Sequence, residues 1–302
     1  MGYLFLSFAL ICGATKGFFG KKISGYADNI KSAVLLNLIR MLLCIAFSFA
    51  LILFSSDIGY LSFDINIVLI STMSGIGTAF FVVSWLLAVR KNAYMMLDVF
   101  LMLGTLVPIV TGYLIYSEPV GIRQIVGFAL LLVAVLIMCS YNNTVKEKLS
   151  IGSVLLLISC GFANGIASVS QKVYVSTFPE TPISIFNLYT YVFASIVLFL
   201  FFVFTSGKEH IKFNGNGSKR PYIYICIMAV ALSLHSYFST MAASYLESVR
   251  LYPLSQRGIS DDLHLNGKHL FQRKTDFQGC YWHCECLYCA ADHKFVALVV
   301  LS

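Results

Sequence analysis

Cys280, Cys284, Cys286 and Cys289 fall within ten residues, with His283 between two of them and His293 just beyond. Thiolates and imidazoles are zinc ligands, so the cluster invites a metal-site reading. Structural zinc sites, however, usually set two short ligand pairs apart on a folded loop. This spacing leaves little chain for such a loop. The cluster sits in a segment, Ile259 to Lys294, that also holds His264 and His269 and has lost the long apolar runs found before it.

The other residues able to do chemistry are polar side chains embedded in apolar sequence. Lipid makes such groups costly, so each is a functional candidate. Asp98, in Met95-Met96-Leu97-Asp98-Val99-Phe100, could couple a proton or cation or hold a substrate amine; it could equally be an interfacial carboxylate reached by water. Arg40 could grip a substrate carboxylate through its fork of donors or snorkel to the headgroups. Lys16 and Asn164 each lie between the glycines of a Gly-x-x-x-Gly, Gly13/Gly17 and Gly161/Gly165. Small residues there let helices approach closely, which would aim the intervening polar group at a neighbour or a cavity. Trp85 and His235 could line that cavity or simply pack. Asn187, Tyr252 and Gln256 are further candidates. No nucleophile–base pair, phosphate loop or metal-ligand set occurs in residues 1–258, so neither enzyme activity nor a cofactor is expected.

The elements that must position these groups are membrane helices. Of the 302 residues, 58% are hydrophobic and 12% charged, against about 25% charged in soluble domains. A span needs about 20 apolar residues. Eight are readable, at about 2–19, 33–54, 65–89, 93–116, 121–140, 149–171, 183–205 and 221–246, and a ninth begins near Val249. The first lacks basic residues before its apolar run, so it reads as a retained helix and not a secretory signal. Cys12, Cys44, Cys139, Cys160 and Cys226 are scattered singly and behave as small core residues.

The net charge of +7 is not a nucleic-acid signal. Gaps after odd-numbered spans carry Lys21, Lys22, Lys31, Arg90, Lys91, Lys146, Lys148, Lys208, Lys212, Lys219 and Arg220. Gaps after even-numbered spans carry only Arg123 and Lys172. Basic loops stay cytoplasmic, so the amino terminus is expected outside.

The chain also repeats itself. Cys12-Gly13 followed by Gly17 returns as Cys160-Gly161 followed by Gly165, and Asn37-Leu38 returns as Asn187-Leu188, at offsets of 148 and 150. Spans three and four match eight and nine at an offset of 155. Two five-helix units with an odd number of spans each must lie in opposite orientations, the inverted-repeat plan of secondary transporters. The expected fold is therefore an all-α polytopic membrane protein of two inverted five-helix repeats. The first covers 1–141, a connecting loop 142–148, and the second, truncated, 149–258. An aberrant tail covers 259–302.

Several of these pieces carry a resemblance: Ala9-Leu10-Ile11-Cys12-Gly13-Ala14-Thr15-Lys16-Gly17 with Lys21-Lys22 after it, Arg40 inside span two, and Glu118-Pro119-Val120 followed by Gly127. Residues 1–258 resemble the drug/metabolite transporter superfamily in its EamA-type branch of ten-helix proteins. The resemblance implies transport of small metabolites across the cytoplasmic membrane, often export, commonly coupled to a proton, a cation or an exchanged solute. The implied partners are a small-molecule metabolite and the lipid bilayer, with a homodimer left open and nucleic acid excluded. The alternative is a non-transporting membrane protein, either a disrupted gene product or a structural subunit.

The repeat also explains the tail. Shifted forward by one base, every Cys codon reads Val or Ala, and His and Tyr codons read Ile, Met or Thr. A Cys/His/Tyr-rich stretch is what a Val/Ile-rich helix gives when misread. Trp282-His283 must yield a glycine in that frame, and Arg273 can yield a glutamate. Subtracting 155 places these at Gly127 and Glu118, the first copy of the motif. A frameshift near residues 257–259 is the expected origin of the tail; a zinc site and a divergent soluble tail remain the alternatives.

Overall fold

Asn29 opens the second helix one turn earlier than hydropathy alone suggests, because its side chain accepts the Ser32 backbone N–H at 2.8 Å. Such a cap satisfies one of the donors every helix start leaves unpaired. The computed structural model describes residues 1–27, 29–61, 64–90, 94–141, 151–205 and 220–255. The chain divides into two units, Met1–Leu263 and His264–Ser302. All described residues lie in the first. The tail's Cys/His cluster, its frame and Gln256 lie outside them.

Among the described residues the helices are α1 (Gly2–Ser24), α2 (Ile30–Phe54), α3 (Ile65–Arg90), α4 (Tyr94–Gly104), α5 (Leu106–Tyr116), α6 (Ile122–Tyr141), α7 (Ile151–Thr177), α8 (Ile183–Phe204) and α9 (Arg220–Tyr245). Residues 248–255 are also helical. Six of the helices are long and apolar enough to cross a bilayer: α1, α2, α3, α7, α8 and α9. Their outward faces are apolar too. On α3 the exposed stripe is Ile65, Leu69, Met73, Ile76 and Phe80. A helix apolar on both faces belongs in a large core or in lipid, and these side chains are exposed. This is a multi-pass helical membrane protein.

The stretch expected as one span over 93–116 is interrupted. Pro108 has no N–H, so it cannot bond the carbonyl of Gly104, four residues back. The chain turns between α4 and α5 at Thr105, whose hydroxyl donates to the Met102 carbonyl at 2.7 Å. Gly104 lies against Gly161 of α7 with no room for a Cβ on either residue, and Gly165 meets the Gly104 carbonyl and Val107. The second Gly-x-x-x-Gly thus receives the break between α4 and α5.

The helices pack across the two halves of the sequence more than within them. α1 lies along α9, α3 along α7 and α8, and α2 along α8 and α9. α1 and α9 run antiparallel: Gly2 meets Tyr245 and Leu246, while Gly20 meets Met228. α2 and α8 do the same. Ile52 clusters with Ile185 at one end, and the Lys31 ammonium lies 5.5 Å from the Phe202 ring centre at the other.

Candidate functional site

Among the described residues, six helices line a small cavity near mid-depth. α1 contributes Lys16 and Gly17, α2 Arg40, α3 Phe81, Val82 and Trp85, α4 Leu101, α7 Asn164, and α9 Leu232 and His235. Five sequence candidates (Lys16, Arg40, Trp85, Asn164 and His235) meet there. Each comes from the middle of a helix or its inner turns. Arg40 is ten residues into α2, about 15 Å at 1.5 Å per residue. That matches half of a roughly 30 Å hydrocarbon core. Arg40 is 5% exposed, so it lies in the interior and does not reach along the helix to the headgroups.

The cavity holds ≈ 40 Å³. Small-molecule pockets run to roughly 300–1,000 Å³. In this conformation the site is narrow, with room for a small polar group and not for a whole metabolite.

Its polar atoms are held unevenly. His235 Nδ1 lies 2.7 Å from the Ala9 carbonyl oxygen. A carbonyl can only accept, so Nδ1 carries a proton and Nε2 is the ring's other hydrogen-bonding atom. The Lys16 ammonium stands 5.7 Å from the Phe81 ring centre, within cation–π range. Arg40 Nε is buried with no hydrogen-bond partner among the described residues. Neither Lys16 nor Arg40 has an ion-pair partner among them.

The remaining candidates sit elsewhere. Asn187, buried on α8, accepts the Ser236 hydroxyl of α9 at 3.0 Å. Tyr252 is buried and its hydroxyl donates to the Ser168 carbonyl at 2.7 Å. Both tie helices together outside the cavity. Asp98 falls on α4, three residues before the cavity-lining Leu101; its side chain lies outside the described residues.

A second polar cluster joins residues that the sequence reading kept apart. Hydropathy places Lys172 in the gap after span six, but α7 runs on to Thr177 and includes it. Its ammonium pairs with Glu118 Oε1 at 2.9 Å and donates to the carbonyls of Ala243 at 3.3 Å and Leu246 at 3.0 Å. Glu118 Oε2 accepts the Ser248 backbone N–H at 2.8 Å, at the start of the helical residues 248–255. The turn that aims Glu118 inward is local. Ser117 adopts a left-handed φ of 52°, and Glu118 N–H donates back to the Gly112 carbonyl at 3.2 Å, a helix-ending motif that Pro119 follows. The sequence reading took Glu118 as part of a motif; its partner was hidden by closing helix α7 too early. Burial raises the Glu118 carboxyl pKa, but hydrogen bonds from Lys172 and Ser248 and the Lys172 charge outweigh it and hold the group below its ordinary value.

No protein-family model matches the chain, and no curated protein matches it.

Proposed function

We propose that this protein is a secondary transporter of small metabolites in the cytoplasmic membrane, built on the EamA-type drug/metabolite transporter plan of two inverted five-helix repeats. The observation that carries the reading is the cavity itself. Polar side chains from both halves of the sequence converge at mid-depth between helices, where a transporter holds its substrate.

The packing supports the repeat. Exchange α1, α2 and α3 for α7, α8 and α9, and each packed pair maps onto another packed pair. α1 with α9 becomes α7 with α3, α3 with α8 becomes α9 with α2, and α2 with α8 maps onto itself. The antiparallel course of α2 against α8 is what opposite orientation of the two repeats requires. The two asparagines each bond to the next helix of their own half, one as donor and the other as acceptor. Asn37 donates from α2 to the Val82 carbonyl of α3 at 3.3 Å, and Asn187 on α8 accepts from Ser236 on α9. Lys16 and Asn164, equivalent by offset, face one cavity.

A volume this small fits a contracted phase of an alternating-access cycle, in which the site opens to one side at a time. The test is an uptake and counterflow screen in proteoliposomes. Both the full chain and a version with the reading frame restored after residue 258 should be assayed. Flux of at least one metabolite above protein-free liposomes is expected; no flux by either version removes the transport reading.

A further inference from the structure

We propose that the central cavity is an anion site, and that the solutes it takes are small organic acids whose carboxylate or phosphate group is held by Arg40 and Lys16. This rests on the transport reading and names its substrate class. A guanidinium stays protonated inside proteins, and a buried charge without a partner is strongly unfavourable. Arg40 is 5% exposed, lines the cavity, and has a buried Nε with no hydrogen-bond partner among the described residues. The cavity wall adds a second cation, Lys16, and contains no carboxylate among the described residues. Asn164 can donate through its amide, while His235, with its proton on Nδ1, presents Nε2 only as an acceptor and adds no contact to an anion.

Arg40, Lys16 and Asn164 each donate to, or are attracted by, negative charge. Arg presents a planar fork that matches carboxylate and phosphate oxygens in pairs. The volume, ≈ 40 Å³, suits such a head group; the organic body would rest on Phe81, Trp85, Leu101 and Leu232 as the site opens. The carboxylate nearest in sequence to this wall is Asp98, three residues before Leu101 on α4, and the experiment therefore includes its replacement.

The chain has two tryptophans, Trp85 and Trp282, so Trp282→Phe leaves the cavity residue as the sole indole. In the full chain, reconstituted in lipid nanodiscs, Trp85 emission is followed during titration with pyruvate, succinate and glycerol 3-phosphate. Glycerol and methylammonium serve as the neutral and cationic counterparts. At least one anion should give a saturable change, and glycerol and methylammonium none. Arg40→Gln should weaken that response at least tenfold, and Arg40→Lys by less, with melting curves showing that both variants are folded. A response to methylammonium or glycerol, or to none of the probes, overturns the proposal. So does an anion response that appears only after Asp98→Asn, because the native charges would then already be neutralised. Proteoliposome counterflow separates the two claims. Anion binding without flux keeps the site and removes transport; flux of a neutral or cationic solute, unchanged in Arg40→Gln, removes the anion assignment and leaves transport.

Discussion

Glu118 and Lys172 form an ion pair of 2.9 Å that gathers four chain segments at one end of the helical bundle. The carboxylate comes from the turn after α5, the ammonium from α7, and the bonds they make reach the end of α9 and the start of the helical residues 248–255. Removing one partner of a buried pair strands the other charge, at a cost of roughly 3–5 kcal/mol. Glu118→Gln and Lys172→Met should each lower the melting temperature in detergent, and the double variant should lose less than the sum. The pair also sets a pH dependence. The Glu118 carboxyl is held below its ordinary value of 4.5, so the folded state binds fewer protons than the unfolded one at that carboxyl. Its contribution is fully present above pH 4.5 and falls away as the pH drops through the lowered value. Melting curves of the wild type should show this acid loss, and Glu118→Gln should show less of it.

The orientation can be tested without knowing the solute. Lys21 and Lys22 lie in the last turn of α1 and Lys31 in the first turn of α2, at the bundle end opposite Glu118. Basic residues remain concentrated in and beside the gaps after odd-numbered spans, and positive loops stay cytoplasmic. An impermeant thiol reagent should reach Ser56→Cys in intact cells and miss Ser218→Cys, with the native cysteines replaced in both. The reverse labelling pattern would place the amino terminus in the cytoplasm.

Asp98 is the carboxylate on α4 three residues from the cavity wall. If it carries the coupling proton, Asp98→Asn should abolish uptake driven by a pH gradient while substrate exchange persists in part. Unchanged pH dependence would leave it an interfacial carboxylate.

The tail makes a genetic prediction. Resequencing around codon 258 should reveal a one-base change that restores a helix with glutamate and glycine at the positions of Arg273 and Trp282. A confirmed frame, with zinc bound stoichiometrically by the purified protein, would replace this account of residues 259–302.

Much of the fold was legible because a membrane helix advertises itself by length and apolarity. The first, second, third, sixth, seventh and eighth spans match α1, α2, α3, α7, α8 and α9 to within a few residues at most ends. The interruption at Thr105 was missed because apolarity is blind to the missing donor of Pro108. The site was legible where cost made residues conspicuous: Lys16, Arg40 and His235 are expensive in lipid, and the structure brings them together. Asn187 and Tyr252 looked the same in sequence, but their polar atoms are spent on neighbouring helices. Phe81, Leu101 and Leu232 carried no signal, since an apolar cavity wall has the same composition as a lipid-facing surface. The Glu118–Lys172 contact spans more than fifty residues and depends on where α7 ends, which hydropathy fixes only loosely.

The central claim is that a path through the membrane passes this cavity. The most direct measurement places a single cysteine at Asn164, with the native cysteines replaced. The variant is then exposed to an impermeant thiol reagent in right-side-out and inside-out vesicles. An alternating-access transporter should allow modification from both faces, and an occupying solute should slow it. Protection from one or both faces would contradict a path through the cavity.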